Sequence, residues 1–305
     1  MNSGFKDGTW HLAFVVGELK EGETEPSTSI NALKPICYKS FKSDRMAIFE
    51  YHNSLKLIKS VQLNIQEFLQ SVVNSATDFL ESKDMSEEKF DLISLNFSRQ
   101  LLNILSMFRS LLDHSDFSLS REFGKGSKQL KKWKSIQAEQ YDSFFEYRLF
   151  YKLRNYCQHI GVPPMQIGYT DSADQEGISF RLDLQRDQLL EERSIWNKQL
   201  IQDLESAPDK IPVVDSLNNW AECFRAISKA LLEIKKEAAI GAAKRVLSHR
   251  EEHDLPADVG QLCAIFLPHI DKKPEQLNLT LNWIPESKAY ELLNGNPFEQ
   301  VKEYA

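Results

Sequence analysis

Residues 147–164 read YRLFYKLRNYCQHIGVPP, and this stretch carries the clearest fold signal in the chain. Its apolar side chains recur at helical spacing, at Leu149, Phe150, Leu153 and Tyr156. Gly161 and the Pro163-Pro164 pair then predict that the helix ends abruptly. The stretch is therefore expected to form the last turns of an amphipathic helix with a buried face.

The final turns of this helix also hold three polar residues, Arg154, Asn155 and His159. Arginine keeps its charge and binds phosphate through a planar fork of donors. Histidine can take and give a proton near neutral pH. An arginine and a histidine together at the end of one helix would suit a site that cleaves a phosphodiester.

The pattern Arg154-Asn155-x-x-x-His159 resembles the signature of HEPN-domain proteins, in which an arginine and a polar residue precede a histidine at this spacing. Members of that family are helical bundles. Many are metal-independent endoribonucleases of toxin, abortive-infection and CRISPR-associated systems. The resemblance covers about residues 50–250.

The resemblance implies catalytic roles for Arg154, His159 and Asn155, with RNA as the substrate and no metal or cofactor. The ribose 2′-OH of RNA would attack, His159 would act as base or acid, and Arg154 would neutralise the developing charge. The product would carry a 2′,3′-cyclic phosphate. The family also implies a homodimer with a composite active site, and an antitoxin or a defence-system partner.

Two other interpretations stay open. The same bundle could be a non-catalytic HEPN-like dimerisation or interaction module that binds protein or nucleic acid, or the motif could be accidental. His159 alone could simply bond the last carbonyls of its helix. Geometry adds a difficulty, because five helical residues separate two side chains by roughly 140°. Either the long arginine stem spans this angle, or the helix loosens near His159.

The remaining pattern predicts a mainly α protein, namely an up-down helical bundle over residues 51–250 with a small β-hairpin at about 165–184. Hairpin strands are expected at 165–169 and 178–184, around a turn at Asp171–Gly177. The predicted helices are 44–82, as one long helix or two nearly collinear ones, and 85–114, 136–159, 186–204 and 214–249. Asp116–Lys134 would be a basic connector.

Short α/β extensions are predicted at both termini, over residues 1–50 and 251–305. In the first, residues 10–16 are expected to form a strand, residues 18–29 a loop, and residues 36–41 a strand or turn. In the second, the pattern predicts a helix at 257–267, a strand at 277–283 and one turn at 290–293.

Five residues are candidates for binding the substrate. They are Lys131, Lys132, Tyr151, Asn103 and Asp113. The lysines belong to a basic cluster that could gather RNA or could simply be a solvated loop. Tyr151 could stack on a base or belong to the core. Asn103 and Asp113 lie on a polar stripe that faces either water or a cleft opposite Arg154.

Composition is consistent with a globular protein that contacts no membrane. The hydrophobic content is 42%, and no apolar run is long enough to span a bilayer. The net charge of −7 does not indicate nucleic-acid binding by itself, so a local basic patch would have to provide it. The four cysteines are far apart and form no CxxC pair, which argues against a zinc site and against a disulfide framework, so a reducing cytoplasm is expected.

Overall fold

The computed structural model describes residues 8–18, 27–84, 86–171, 178–256, 259–269 and 279–296. The protein is mainly helical, as predicted. In chain order the elements are β1 (Gly8–Glu18), β2 (Ser27–Pro35), α1 (Tyr38–Ser82), α2 (Glu87–Phe123), α3 (Lys128–Ser143), α4 (Phe145–His159), β3 (Met165–Asp171), β4 (Ile178–Gln185), α5 (Arg186–Glu191), α6 (Lys198–Ser206), β5 (Lys210–Pro212), α7 (Val213–Glu252), β6 (Gln261–Pro268), β7 (Leu281–Trp283) and α8 (Glu286–Asn294). None of the described helices combines the length and apolarity needed to cross a bilayer.

The described residues divide into two compact units. The first unit contains the residues up to Asn53 and those from Glu233 onward. The second contains Ser54–Leu232. The long helices α1 and α7 contribute residues to both units.

The first unit contains an antiparallel four-stranded sheet with the strand order β2-β1-β6-β7. Strands β1 and β6 are central, and Leu12, Ala13 and Ala264 are fully buried. The helix predicted over 257–267 is therefore wrong, since the described residues there form β6. A short apolar run fits a buried strand or a buried helix equally well, and pairing with β1 decides the outcome.

The edge strand β2 replaces part of the loop predicted at 18–29 and precedes α1, which begins at Tyr38 within the segment predicted as strand or turn. An edge strand exposed on one side can be polar, so its sequence looks like a loop. Residues 19–26 of that predicted loop lie outside the described residues. Residues 277–278 of the strand predicted near the end lie outside the described residues, and β7 covers Leu281–Trp283. Helix α8 is longer than the single turn predicted at 290–293.

The second unit has its core around Trp220 of α7, which is fully buried. Its ring meets Phe108 of α2 edge-on at 4.9 Å between centroids and Phe150 of α4 at 6.0 Å. Phe224 stacks on the same indole at 5.8 Å. Offset and edge-on aromatic contacts of this kind stabilise helix packing beyond the area they bury. They fix α4 against α2 and α7.

The predicted β-hairpin is confirmed. Strands β3 and β4 pair from Met165 with Leu184 to Asp171 with Ile178, and β5 extends the sheet. Residues 172–177 of the predicted turn lie outside the described residues. The helix predicted over 186–204 is instead broken into α5, a single 3₁₀ turn and α6. Asn197 causes the restart, because its side chain accepts a hydrogen bond from the Leu200 N–H at 3.0 Å.

The basic segment predicted as a connector is largely helical. Helix α2 continues past His114 to Phe123, and α3 begins at Lys128. Gly124 has φ +91° and Gly126 has φ +87°, which are conformations that favour glycine and confine the turn to a few residues. The Ser127 side chain then caps α3 by accepting from the Leu130 N–H at 3.2 Å.

The helix predicted over 136–159 is broken at Phe144, whose backbone is extended. No glycine or proline marks the break. Arg148, in the first turn of α4, donates hydrogen bonds to the carbonyl oxygens of Tyr141 and Asp142 at 2.7 and 2.9 Å. These carbonyls end α3 and would otherwise lack partners, so a side chain from the next helix stabilises the interruption.

Candidate active site on helix α4

Helix α4 is amphipathic and ends at His159, as predicted. Leu149, Phe150 and Leu153 are buried on its inner face. The N–H groups of Ile160 and Gly161 both donate to the Tyr156 carbonyl, at 2.9 and 3.3 Å, and close the last turn. The helix is therefore fixed on one side by the core and presents its final polar residues at a defined end.

Arg154 is half-buried and has an unusual environment for an arginine. Its Nε atom is buried without a hydrogen-bond partner. Among the described residues, no hydrogen bond or ion pair engages its guanidinium group. A buried donor left unpaired costs free energy, and no described residue compensates for that cost at this position.

His159 is exposed at the end of α4. Its ring makes no hydrogen bond or ion pair with any described residue, so it does not bond the last carbonyls of the helix. Asn155 precedes His159 by four residues, so the two share one face. Tyr151 lies a further four residues before Asn155 on that face.

The angle between Arg154 and His159 follows from the regular helix. The helix continues through His159, so it does not loosen there as one interpretation required. Five residues of regular helix place the two side chains roughly 140° apart around the axis. Arg154 would then have to use the length of its side chain to reach a phosphate held near His159.

Tyr151 belongs to a polar network that joins α4 to α2. Arg109 of α2 donates to the Tyr151 hydroxyl at 2.5 Å, and its guanidinium carbon lies 5.4 Å from the ring centroid. The same guanidinium donates to both carboxylate oxygens of Asp113 at 3.0 Å. Asp113 is thus bound to Arg109, and no contact joins it to Arg154 among the described residues.

Arg109 is the residue that the sequence analysis missed. Its spacing to Asp113 is that of a helical ion pair and could have indicated the first contact. The contact with Tyr151 depends on how α2 packs against α4, which no local pattern encodes. Through this contact Arg109 lies beside Tyr151, which precedes Arg154 by three residues on α4.

The other predicted substrate-binding residues are at the surface of the second unit. Asn103 is exposed, and its backbone carbonyl accepts from the Asn64 side chain at 3.5 Å. Lys131 and Lys132 are exposed on α3. Trp133 next to them is fully buried and donates to Asp116 of α2 at 2.7 Å, which anchors α3. The lysines are thus held on a helix rather than on a loop.

Burial controls the ionisation of two groups beside the motif. It raises the pKa of the Cys157 thiol to about 11 and also raises the pKa of the Tyr147 hydroxyl. Both groups therefore stay protonated at neutral pH. Cys157 lies between Arg154 and His159 but is unsuited to act as a nucleophile.

No cluster of three or more histidine, cysteine, aspartate or glutamate side chains suited to a metal ion occurs in the described part of the chain. Searches against protein-family models, curated proteins and solved structures find no match for this chain.

Proposed function

We propose that the protein is a metal-independent endoribonuclease of HEPN type, with Arg154 and His159 as its catalytic residues. The observation that carries the proposal is the contrast between two arginines of α4. Arg148 is buried, and its guanidinium group bonds Asp203 and two backbone carbonyls, whereas no hydrogen bond or ion pair engages the Arg154 guanidinium group among the described residues. An arginine retained on a structured helix without a protein partner is available for a phosphate.

The chemistry uses the nucleophile of the substrate itself. A base takes the proton of the ribose 2′-OH, the 2′ oxygen bonds to phosphorus, and the bond from phosphorus to the 5′ oxygen breaks. An acid returns a proton to that departing oxygen, which leaves a 2′,3′-cyclic phosphate and a 5′-hydroxyl. His159 serves as base or acid, and Arg154 binds the phosphoryl oxygens as charge develops on them. Asn155 offers a neutral donor and acceptor beside them.

The acid and the base can be two copies of His159 in a homodimer. Ile160 directly follows this histidine and Val162 is three residues after it, and both are exposed apolar side chains, 43% and 68% accessible. A second copy packed on this end of α4 would cover them and would bring the two histidines together. The exposed Lys131 and Lys132 would hold the RNA strand through its phosphates.

The biological setting that fits this chemistry is a toxin or an anti-phage effector controlled by a partner protein. The alternative is a bundle that dimerises and binds RNA or protein without cleavage. The nuclease and the non-catalytic module would have the same fold and surface, so they are distinguished by whether RNA is cut.

The test is incubation of the purified protein with RNA in excess EDTA, followed by analysis of the fragment ends. We expect fragments with 2′,3′-cyclic phosphate and 5′-hydroxyl ends, and no cleavage of DNA of the same sequence, which lacks the 2′-OH. Arg154→Ala protein purified in parallel controls for contaminating ribonuclease and should be inactive. Intact RNA with the parent protein, or equal cleavage by folded Arg154→Ala, would contradict the proposal.

A further inference from the structure

The first unit contains a cavity of about 760 Å³ that has no role in the proposed cleavage. Its wall is formed by the end of β2, the first turns of α1 and the last turns of α7. The volume lies within the range of sites for small organic molecules. None of the candidate catalytic residues lines it.

Two ion pairs neutralise the negative charges of the two carboxylates in the cavity wall. Lys34 Nζ lies 2.6 Å from Glu252, and Arg245 holds Asp44 through two bonds of 3.0 and 2.6 Å. The Lys34 and Ser248 side chains lower the pKa of Glu252 to about 2, so this carboxylate is charged at neutral pH. Each carboxylate thus has its own cation, and the two pairs add no net charge.

Lys39 adds one uncompensated positive charge. Its side chain lines the cavity, is exposed, and makes no hydrogen bond or ion pair with the described residues. His249 does not change this balance, because burial, and then the charge of Lys34, lower the pKa of its imidazole and keep it neutral at pH 7. Its Nδ1 atom is buried and lies 3.7 Å from Glu252, too far for a hydrogen bond.

The rest of the wall is mainly apolar, with hydroxyl groups at α1. The apolar side chains are Leu12, Ile36, Phe41, Val246 and Ile284. Ser40 and Ser43 add hydroxyl donors near Lys39. We propose that this cavity binds a small organic molecule carrying a single negative charge on an apolar body. Its charge would pair with Lys39, and its body would cover the apolar wall.

The binding test uses anilinonaphthalenesulfonate, a fluorescent monoanion, and phenylnaphthylamine, which has the same body without the sulfonate. We expect saturable binding of the sulfonate and weaker binding of the neutral dye. Lys39→Gln should weaken sulfonate binding by about tenfold, as expected for one charge-assisted contact, and leave the neutral dye unaffected. Lys42→Gln is the matched control, because Lys42 is exposed on the same helix but does not line the cavity.

The rate of chemical modification of Cys37 shows whether the dye binds in this cavity. Cys37 is exposed, lines the cavity, and has a pKa lowered by hydrogen bonds from Ser40. N-ethylmaleimide should therefore modify it before Cys157, whose pKa is raised. Saturating sulfonate should slow modification of Cys37, as read by mass spectrometry, without changing the rate at Cys157.

Three results would overturn the proposal. They are the absence of saturable sulfonate binding, equal binding of both dyes, and unaltered Cys37 modification at saturation. Equal affinity of folded Lys39→Gln and Lys42→Gln proteins for the sulfonate would also contradict it. These readouts do not involve RNA, so they are independent of the cleavage activity.

Discussion

Arg148 and Arg154 lie on the same helix, six residues apart, and their guanidinium groups have opposite environments. Arg148 is 5% exposed, bonds Asp203 at 2.7 Å, and donates to two carbonyls at the end of α3. Arg154 keeps its Nε atom buried without a partner. One arginine holds the break between α3 and α4, and the other has no such partner among the described residues.

This difference predicts opposite effects of the same substitution. Arg148→Met should lower the free energy of unfolding by about 3–5 kcal/mol, because it leaves a partly buried Asp203 and two helix-end carbonyls unpaired. Arg154→Met should change that free energy by less than about 1 kcal/mol while removing RNA cleavage. Urea unfolding of both variants measures the first effect. Comparable loss of stability in the two would assign Arg154 a structural role.

The contact between Arg109 and Tyr151 predicts energetic coupling between α2 and α4. Tyr151→Phe removes the hydroxyl that accepts from Arg109, and Arg109→Met removes the donor. A double-mutant cycle on unfolding free energies should give a coupling of about 1 kcal/mol for this half-exposed, charge-assisted bond. Tyr290→Phe, at an exposed tyrosine of α8, should show no coupling with Arg109→Met. Zero coupling in the Tyr151 cycle would mean that the network does not hold the helices together.

Lys131 and Lys132 predict a salt-dependent contribution to RNA affinity. Changing both to glutamate should weaken RNA binding in fluorescence anisotropy and reduce the slope of log affinity against log salt by about 0.7 for each phosphate that the protein no longer neutralises. The matched control changes Lys198 and Lys229, which are exposed lysines of the same unit, to glutamate. Both double variants alter the net charge equally. Equal weakening would mean that overall charge, rather than the α3 surface, attracts RNA.

The lowered pKa of the His249 imidazole predicts that acid destabilises the protein. Burial lowers the pKa of this imidazole below the ordinary value, so the unfolded chain binds more protons in the interval between the two pKa values. The contribution of neutral His249 to the free energy of unfolding is complete above about pH 6.5 and decreases as the pH falls below that value. Urea unfolding at about pH 7.5 and about pH 5.5 should therefore show a larger loss for the parent than for His249→Gln.

The neighbouring groups make that comparison specific. Lys34 lowers the pKa of His249 further, while Glu252 raises it. Glu252 itself titrates in a lower range, since its pKa is lowered to about 2. The same loss of stability in the parent and in His249→Gln would show that other groups determine the acid sensitivity.

Local sequence patterns predicted the elements that carry a strong signal in their own residues. The end of α4, the hairpin of β3 and β4, and both ends of α7 were predicted within a few residues, whereas α1 begins six residues before its predicted start. Each carries a long apolar repeat or a flanking glycine or proline signal in its own sequence. Local sequence suffices where the local signal and the tertiary packing agree.

The errors occur where a distant residue decides the local structure. The α3–α4 break needs Arg148 to bond the last carbonyls of α3, and β6 needs β1 as its partner. Gly260, before β6, has φ +68°, and a Cβ atom there would lie 2.5 Å from the Phe14 ring. Likewise, Arg154 and His159 could be named from their motif, but the contact of Arg109 with Tyr151 required the packed helices.

The most direct test of the account is the cleavage rate of RNA in EDTA for the parent, His159→Ala and His114→Ala. His114 is an exposed histidine of the same unit and serves as the matched control. The account predicts that His159→Ala loses at least about a hundredfold in rate, as expected when a general acid or base is removed, while His114→Ala cleaves like the parent. A folded His159→Ala protein that cleaves at the parental rate would contradict it.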